Sequence, residues 1–205
     1  IKIAKNLNKK IILFPNFYVE DEVQSTEIER VSKFNELADA IVFKTWSEFN
    51  SYASLFKLVK DKSFVVASYI DLKALQNFNQ GYTKNILGIG DYILCTGVIS
   101  EVKNQYRSAF IASTLGVKVV FLGAVADVSY KRKIESDYSD FCMFHQATTV
   151  GDVIYKSLLN SSRAVIEISR DPPGRSVLEA LMCKKPVLVL SKNENHIGHN
   201  VLYEY

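Results

Sequence analysis

Short apolar runs rich in β-branched and aromatic residues alternate along the chain with stretches whose apolar positions recur at helical period. That is the pattern of an α/β fold with a mainly parallel sheet. The runs that predict strands are Lys10 to Phe14, Ala40 to Lys44, Phe64 to Ala67, Tyr92 to Thr96, Lys118 to Leu122, Phe141 to Phe144, Ala164 to Ile168 and Pro186 to Leu190. Helices fill the gaps. One begins near Thr26, where Thr26 and Glu29 have capping-box spacing, Glu27 adds negative charge to the first turn, and Ile28, Val31, Phe34 and Leu37 form an apolar stripe. Another follows Lys103 with Tyr106, Ala109, Phe110 and Ser113 inward. A third carries Val150, Val153, Ile154 and Leu158, and the last runs from about Arg175 to Cys183, burying Val177, Leu178, Leu181 and Met182.

Between Asp71 and Gly90 the alternation breaks: Asn77, Asn79, Gly81, Asn85, Gly88 and Gly90 punctuate a stretch poor in core residues. It reads as a linker. The expected organisation is a partial N-terminal α/β unit over residues 1–72, a linker over 73–90 and a Rossmann-like domain over 91–205. Starting at Ile1 and stopping at Tyr205 in mid-pattern, the sequence reads as a piece excised from something longer.

Composition narrows the function classes. With 205 residues, 48% hydrophobic and 23% charged, the chain has the makings of a true core and needs no disulfide or metal staple. The formal charge of +3, from 25 Lys+Arg against 22 Asp+Glu, is spread without a long basic run, so nucleic acid is not an expected partner. Cys95, Cys142 and Cys183 match neither a disulfide framework nor a zinc spacing, which points to a reducing, cytoplasmic setting. No apolar run reaches the ~18 residues of a membrane span, and no signal-peptide pattern opens the sequence. Lys2, Lys5, Lys9 and Lys10 make a basic start, ordinarily a solvated face, that suits peripheral contact with an anionic membrane.

The stretch from Val165 to Leu190 concentrates the chemistry. A strand ends at Ile168, a Pro-Pro-Gly turn follows, a helix starts near Arg175 and a strand begins at Pro186. In a parallel sheet this turn lies at the carboxyl ends of the strands, where open α/β folds bind ligands. First-turn N–H groups at Gly174, Arg175 and Ser176, with the helix dipole and the Arg175 guanidinium, suit a phosphate. Asp171 precedes the turn and Glu179 stands eight positions after Asp171, so two carboxylates flank a candidate anion site. Plainer readings stand beside these: Ser176 and Glu179 have capping-box spacing, and an acid before Pro-Pro is an ordinary turn residue. Elsewhere, Gly88-Ile-Gly90 precedes a strand, the wrong order for a dinucleotide fingerprint. His196 and His199 lack a third metal ligand, and His145 reads as an edge residue or a ligand contact. There is no G-x-S-x-G elbow, P-loop or Asp-x-Asp pair.

The order of these parts resembles the signature of GT-B glycosyltransferases, particularly glycosyltransferase family 4. That family places an acid, seven residues and then Glu-Ala across a turn and helix that end before a Pro-Val strand. Asp171-Pro-Pro-Gly-Arg-Ser-Val-Leu-Glu179-Ala180 keeps this E-x7-E spacing, and Pro186-Val187 follows. Tyr92 to Thr96, Gly97 and Lys103 look like the strand, turn and lysine that open the family's donor-binding domain. Val119 to Gly123 matches its second strand and Asp152 to Leu159 the helix before the signature, and roughly residues 35 to 190 follow its order of elements.

The resemblance implies a retaining, metal-independent hexosyltransferase using a UDP- or GDP-sugar as substrate and no cofactor. Its acceptor would be a saccharide or lipid-linked saccharide, in cell-surface polysaccharide or glycoconjugate synthesis. Carried across, Lys103 pairs with the donor diphosphate and Gly97 lets the backbone approach it. Gly174, Arg175 and Ser176 supply donors to the phosphates, Glu179 holds the ribose hydroxyls, and Asp171 faces the transferred sugar. Preorganised cations and amides act where the leaving diphosphate gains charge. The sequence departs from the family at Val98, where an Arg is usual, at Asp171, one methylene shorter than Glu, and at Lys184, where a glycine is common. Most of the acceptor domain is absent, so the chain alone is not expected to turn over, and a partner or further segment would supply the rest. The alternatives are a non-catalytic GT-B-like partner or regulatory module with a degenerate donor site, and a response-regulator-like doubly wound domain.

Overall fold

The computed structural model describes residues 2–15, 25–58, 60–76, 78, 81–88, 90–146, 152–169 and 174–190. Through them run α1 (Lys2–Asn6), β1 (Ile12–Leu13), α2 (Ser25–Leu37), β2 (Ala40–Phe43), α3 (Trp46–Leu55), β3 (Ser63–Val65), α4 (Leu72–Gln76), α5 (Tyr82–Leu87), β4 (Tyr92–Thr96), α6 (Gln105–Thr114), β5 (Lys118–Leu122), α7 (Val128–Tyr138), β6 (Cys142–His145), α8 (Val153–Ser161), β7 (Ala164–Glu167), α9 (Arg175–Met182) and β8 (Val187–Val189). Every pairing between these strands is parallel. They form two sheets, β1-β2-β3 and β6-β5-β4-β7-β8. The chain divides into two compact units between Tyr69 and Ile70.

The first unit packs Ala38, Ile41, Phe43, Tyr52 and Phe56 into a core. Asn35 is wholly buried and fully engaged, donating to the Lys57 carbonyl at 3.1 Å and accepting from the Tyr52 hydroxyl at 2.8 Å. Ile28 and Val31 of the expected stripe pack on this core, but Phe34 and Leu37 stay partly exposed. Helix α2 is already helical at Ser25, so Thr26 lies inside it and is not its N-cap. Leu13, Phe14, Val31, Phe34, Tyr52 and Phe56 are among the residues lining an apolar cleft of about 330 Å³.

The second unit is a three-layer sandwich. Side chains of alternate strand positions face opposite ways. Leu94, Val120 and Val165 therefore pack under α8 and α9 with Tyr155, Leu158 and Ala180. Ile93, Val119, Phe121 and Ile166 pack under α6 and α7 with Ala109, Ala112, Tyr130 and Ile134. The stretch from 73 to 90, read as a linker, carries α4 and α5, and Leu75 is fully buried in the first of these two cores. Helix α6 turns only part of the expected face inward: Ala109 is buried and Tyr106 packs on the core, but Phe110 is not inside. Its buried positions are Gln105, Ser108, Ala109 and Ala112, while Phe110 is 54% exposed and the Ser113 hydroxyl bonds the Phe110 carbonyl within the helix. Small residues let the helix sit close to the sheet, and that contact outweighs burial of one aromatic. Val153 and Met182, both expected inside, are likewise exposed, and Val150 lies outside the described residues.

Candidate functional site

The strand order defines where a ligand can sit. From β4 the chain steps outward to β5 and β6, then returns to β7 on the other side of β4 and steps outward again to β8. The reversal lies between β4 and β7, and crossovers leave this switch point on opposite faces, the arrangement in which open α/β sheets hold ligands at the carboxyl ends of the two strands. Gly97 and Lys103 follow β4, and α9 follows β7.

On the β4 side the turn is held closely. Gly97 has φ +130°, a region that excludes most side chains, and donates its N–H to the Leu122 carbonyl at 3.0 Å. A Cβ at Gly123 would stand 1.8 Å from the Gly97 carbonyl oxygen, so the ends of β4 and β5 meet this closely only because residue 123 is glycine. The Lys103 aliphatic stem lies along Gly97, its Cδ and Cε 3.9 Å from where a Cβ would be. Gln105 is buried and staples the loop, donating to the Val98 carbonyl at 2.8 Å and accepting from the Ser100 N–H at 3.3 Å. Asn104, in a left-handed conformation, donates to the Ile168 carbonyl at 3.2 Å and ties the Lys103 turn to the end of β7. Sequence reasoning named Gly97 and Lys103 but missed Asn104, Gln105 and Gly123. The polar pair directly after the lysine was the available signal.

On the β7 side, Gly174 is the N-cap of α9 in extended conformation without a side-chain cap, and Arg175 and Ser176 open the helix. Their N–H groups belong to the first turn, which has no intrahelical acceptor. Glu179 does not cap the helix, which corrects the capping-box reading: Gly174 takes the cap position, and the Glu179 carboxylate turns into the protein at 4% side-chain exposure. Its Oε1 lies 3.2 Å from Nε of Arg175, which is 57% exposed, and its Oε2 accepts a hydrogen bond from the Tyr155 hydroxyl of α8. Burial, and then the bond to Glu179, push the Tyr155 phenol far above its ordinary range, so it stays protonated as the donor. Tyr155, 24 residues away in the sequence, was not anticipated.

Between the two sides the floor is polar. Continuing the β4–β7 register brings Thr96 level with Glu167, and both are buried along with Ser169. The Thr96 Oγ1 has no partner among the described residues. Cys95, on the opposite face, has its thiol pushed up to about 12 by burial and, next, by the Glu167 charge, with Lys103 pulling the other way. Val98, at the place of the expected Arg, is 45% exposed. The structure thus brings Gly97 to Lys103 after β4 and Arg175 to Glu179 in α9 after the neighbouring strand β7. Asp171 lies outside the described residues, as do His196 and His199. His145 ends β6, with its Nδ1 3.4 Å from the Gln146 carbonyl.

No family model matches the chain, and no curated protein matches it. Solved structures do. HepE of Anabaena in complex with UDP superposes with a TM-score of 0.75 at 14% identity, over 91% of this chain and 54% of that one. Sucrose-phosphate synthase from Thermosynechococcus elongatus gives 0.70 at 13%, over 92% and 52%. A glycosyltransferase from Rickettsia africae ESF-5 gives 0.67 at 11%, over 92% and 59%. The chain spans a little over half the length of these three solved structures. Likeness at such identities speaks of the fold, and the chain is an α/β protein of parallel sheets with the Rossmann-like architecture of its GT-B glycosyltransferase neighbours.

Proposed function

We propose that the second unit is the donor-binding part of a glycosyltransferase that moves a hexose from a nucleoside diphosphate to a saccharide or lipid-linked acceptor. The observation that carries this reading is the pairing of Gly97 and Lys103 after β4 with the Gly174-Arg175-Ser176 helix start after β7, at the switch point of a GT-B-like sheet. A diphosphate lying at that switch point would meet a lysine, an arginine, first-turn amides and the positive end of a helix, with no need for a metal ion. These groups act on the departing diphosphate, whose charge grows in the transition state, and so lower the barrier more than they tighten substrate binding. Asp171 is proposed to face the transferred sugar and Glu179 to hold the ribose. That HepE is known in complex with UDP and with UDP and glucose supports a UDP-sugar as the first donor to try. Retention of configuration, a polysaccharide or glycoconjugate product, a cytoplasmic and membrane-peripheral setting, and a partner or further segment completing the acceptor side belong to the same proposal. Among the described residues no helix is long and apolar enough to cross a membrane.

Calorimetric titration of UDP- and GDP-sugars into the chain tests the reading. Binding that Lys103→Ala or Glu179→Ala lowers about tenfold or more supports it, since each removes a charged hydrogen-bonding partner. The exposed Val98 and the engagement of both Glu179 oxygens within the protein favour a second reading, a non-catalytic module with a degenerate donor site. Absence of nucleotide-sugar binding would select it.

A further inference from the structure

Glu179 is a buried carboxylate held from two sides by unlike groups. From inside, the Tyr155 hydroxyl donates to Oε2, and Tyr155 is itself fixed in the core with Leu158, Val165 and Ala180. From outside, Arg175 approaches Oε1 at 3.2 Å, one helical turn toward the N-terminus of α9, with 57% of its side chain exposed. A buried charge persists only while it is paired and hydrogen-bonded, so the inner bond must hold whenever the outer partner moves. A carboxylate has acceptor capacity beyond these two bonds.

We propose that Tyr155 is a positioning residue that makes Glu179 a reader of ribose. With Oε2 anchored in the core, Oε1 faces the mouth of α9, where a ribose hydroxyl of the nucleotide takes the place of Arg175. The freed guanidinium then turns to the diphosphate beside the first-turn amides. Donor arrival and the redeployment of Arg175 become one event, and the site selects ribonucleotides, because a donor lacking the sugar hydroxyls leaves Arg175 on Glu179. This rests on the donor-site reading above and adds to it the residue that sets sugar selectivity.

The test compares UDP with 2′,3′-dideoxy-UDP by calorimetry on the wild-type chain, Tyr155→Phe and Lys103→Ala. Wild type is expected to prefer UDP by about tenfold or more, the worth of a hydrogen bond to a charged group. Tyr155→Phe should cut that preference at least about fivefold while leaving the dideoxy affinity within about twofold, whereas Lys103→Ala should weaken both nucleotides alike. In a Glu179→Gln background, whose neutral amide tolerates loss of the hydroxyl even if the single variant unfolds, adding Tyr155→Phe should change nothing further. An unchanged preference in Tyr155→Phe, equal loss for both nucleotides, or an additional loss in the Glu179→Gln background overturns the Tyr155 proposal and leaves the donor reading standing. Failure of the wild type to bind UDP overturns both.

Discussion

Replacement of Gly123 by alanine probes the contact on which the β4 side of the site depends. The new methyl would lie 1.8 Å from the Gly97 carbonyl oxygen and 2.6 Å from its carbon, against the 3.4 Å at which ordinary contact begins, so the strand ends must part by about 1.6 Å. Both partners are backbone, and no rotamer change can absorb the clash. Parting them strains the bonds from Gly97 N–H to Leu122 at 3.0 Å and from Ile99 N–H to Ala124 at 2.8 Å. Overpacking of this kind costs about 1–3 kcal/mol and each lost backbone bond about 1 kcal/mol, so a destabilisation of about 3 kcal/mol is expected. Two controls bracket it. Gly90→Ala meets nothing within 4 Å and should be nearly neutral, while Gly116→Ala, also unobstructed but at φ +66°, should cost about 1 kcal/mol from backbone strain alone. Urea unfolding followed by far-UV circular dichroism gives the energies, and hydrogen exchange of peptides from β4 and β5 locates the loosening. If Gly123→Ala proves no worse than Gly90→Ala, the close approach of the two strand ends is wrong, and with it the account of how Gly97 and Lys103 are held.

Three further outcomes follow from particular residues. Lys184 ends α9 at φ +57°, so Lys184→Gly should stabilise the chain by about 0.5–1 kcal/mol in the same urea experiment, and a loss of stability would refute the strain. Asp39 accepts from the Lys5 ammonium and the Ile11 N–H, and these bonds, the lysine first, lower its carboxyl from 3.8 to about 2. A folded pKa below the unfolded one gives stability that is full above pH 3.8 and lost as the pH falls toward 2, so wild type should weaken across that window and Asp39→Asn should not show this part of the dependence. With its thiol pushed up to about 12 and buried, Cys95 should resist iodoacetamide at pH 8 in the native chain and react in urea, as mass spectrometry of the peptide would reveal.

Strands β4 and β5 were legible to the residue. Both are shielded on two faces, so each reads as an unbroken apolar run with a clear start and a glycine just beyond its end. The shorter strands of the first sheet begin or end away from their expected limits, because Ile12 and Phe64 are exposed and the apolar run is a poorer guide there. The inner face of α6 was read correctly at Ala109 and Tyr106 and wrongly at Phe110, for a related reason. Phe110 carries more apolar surface than Ser108 or Ala112, but packing against a sheet favours the residues that let backbones approach.

Within the site, local spacing located the groups and left their partners open. The spacing of Ser176 and Glu179 fits a helix cap, and only the structure shows that Gly174 opens the helix instead and that the Glu179 carboxylate meets Tyr155. Likewise nothing near Gly97 announces that Gly123 must be a glycine too. The sequence by itself determined the alternation of strands and helices, and so the parallel sheet. Those properties come from burial period, turn chemistry and helix ends, which act over a few residues. Only the tertiary structure decided which side chains complete the site. A hydrogen bond between α8 and α9, or a backbone collision between the ends of β4 and β5, depends on the separation of elements after packing, which no local pattern encodes.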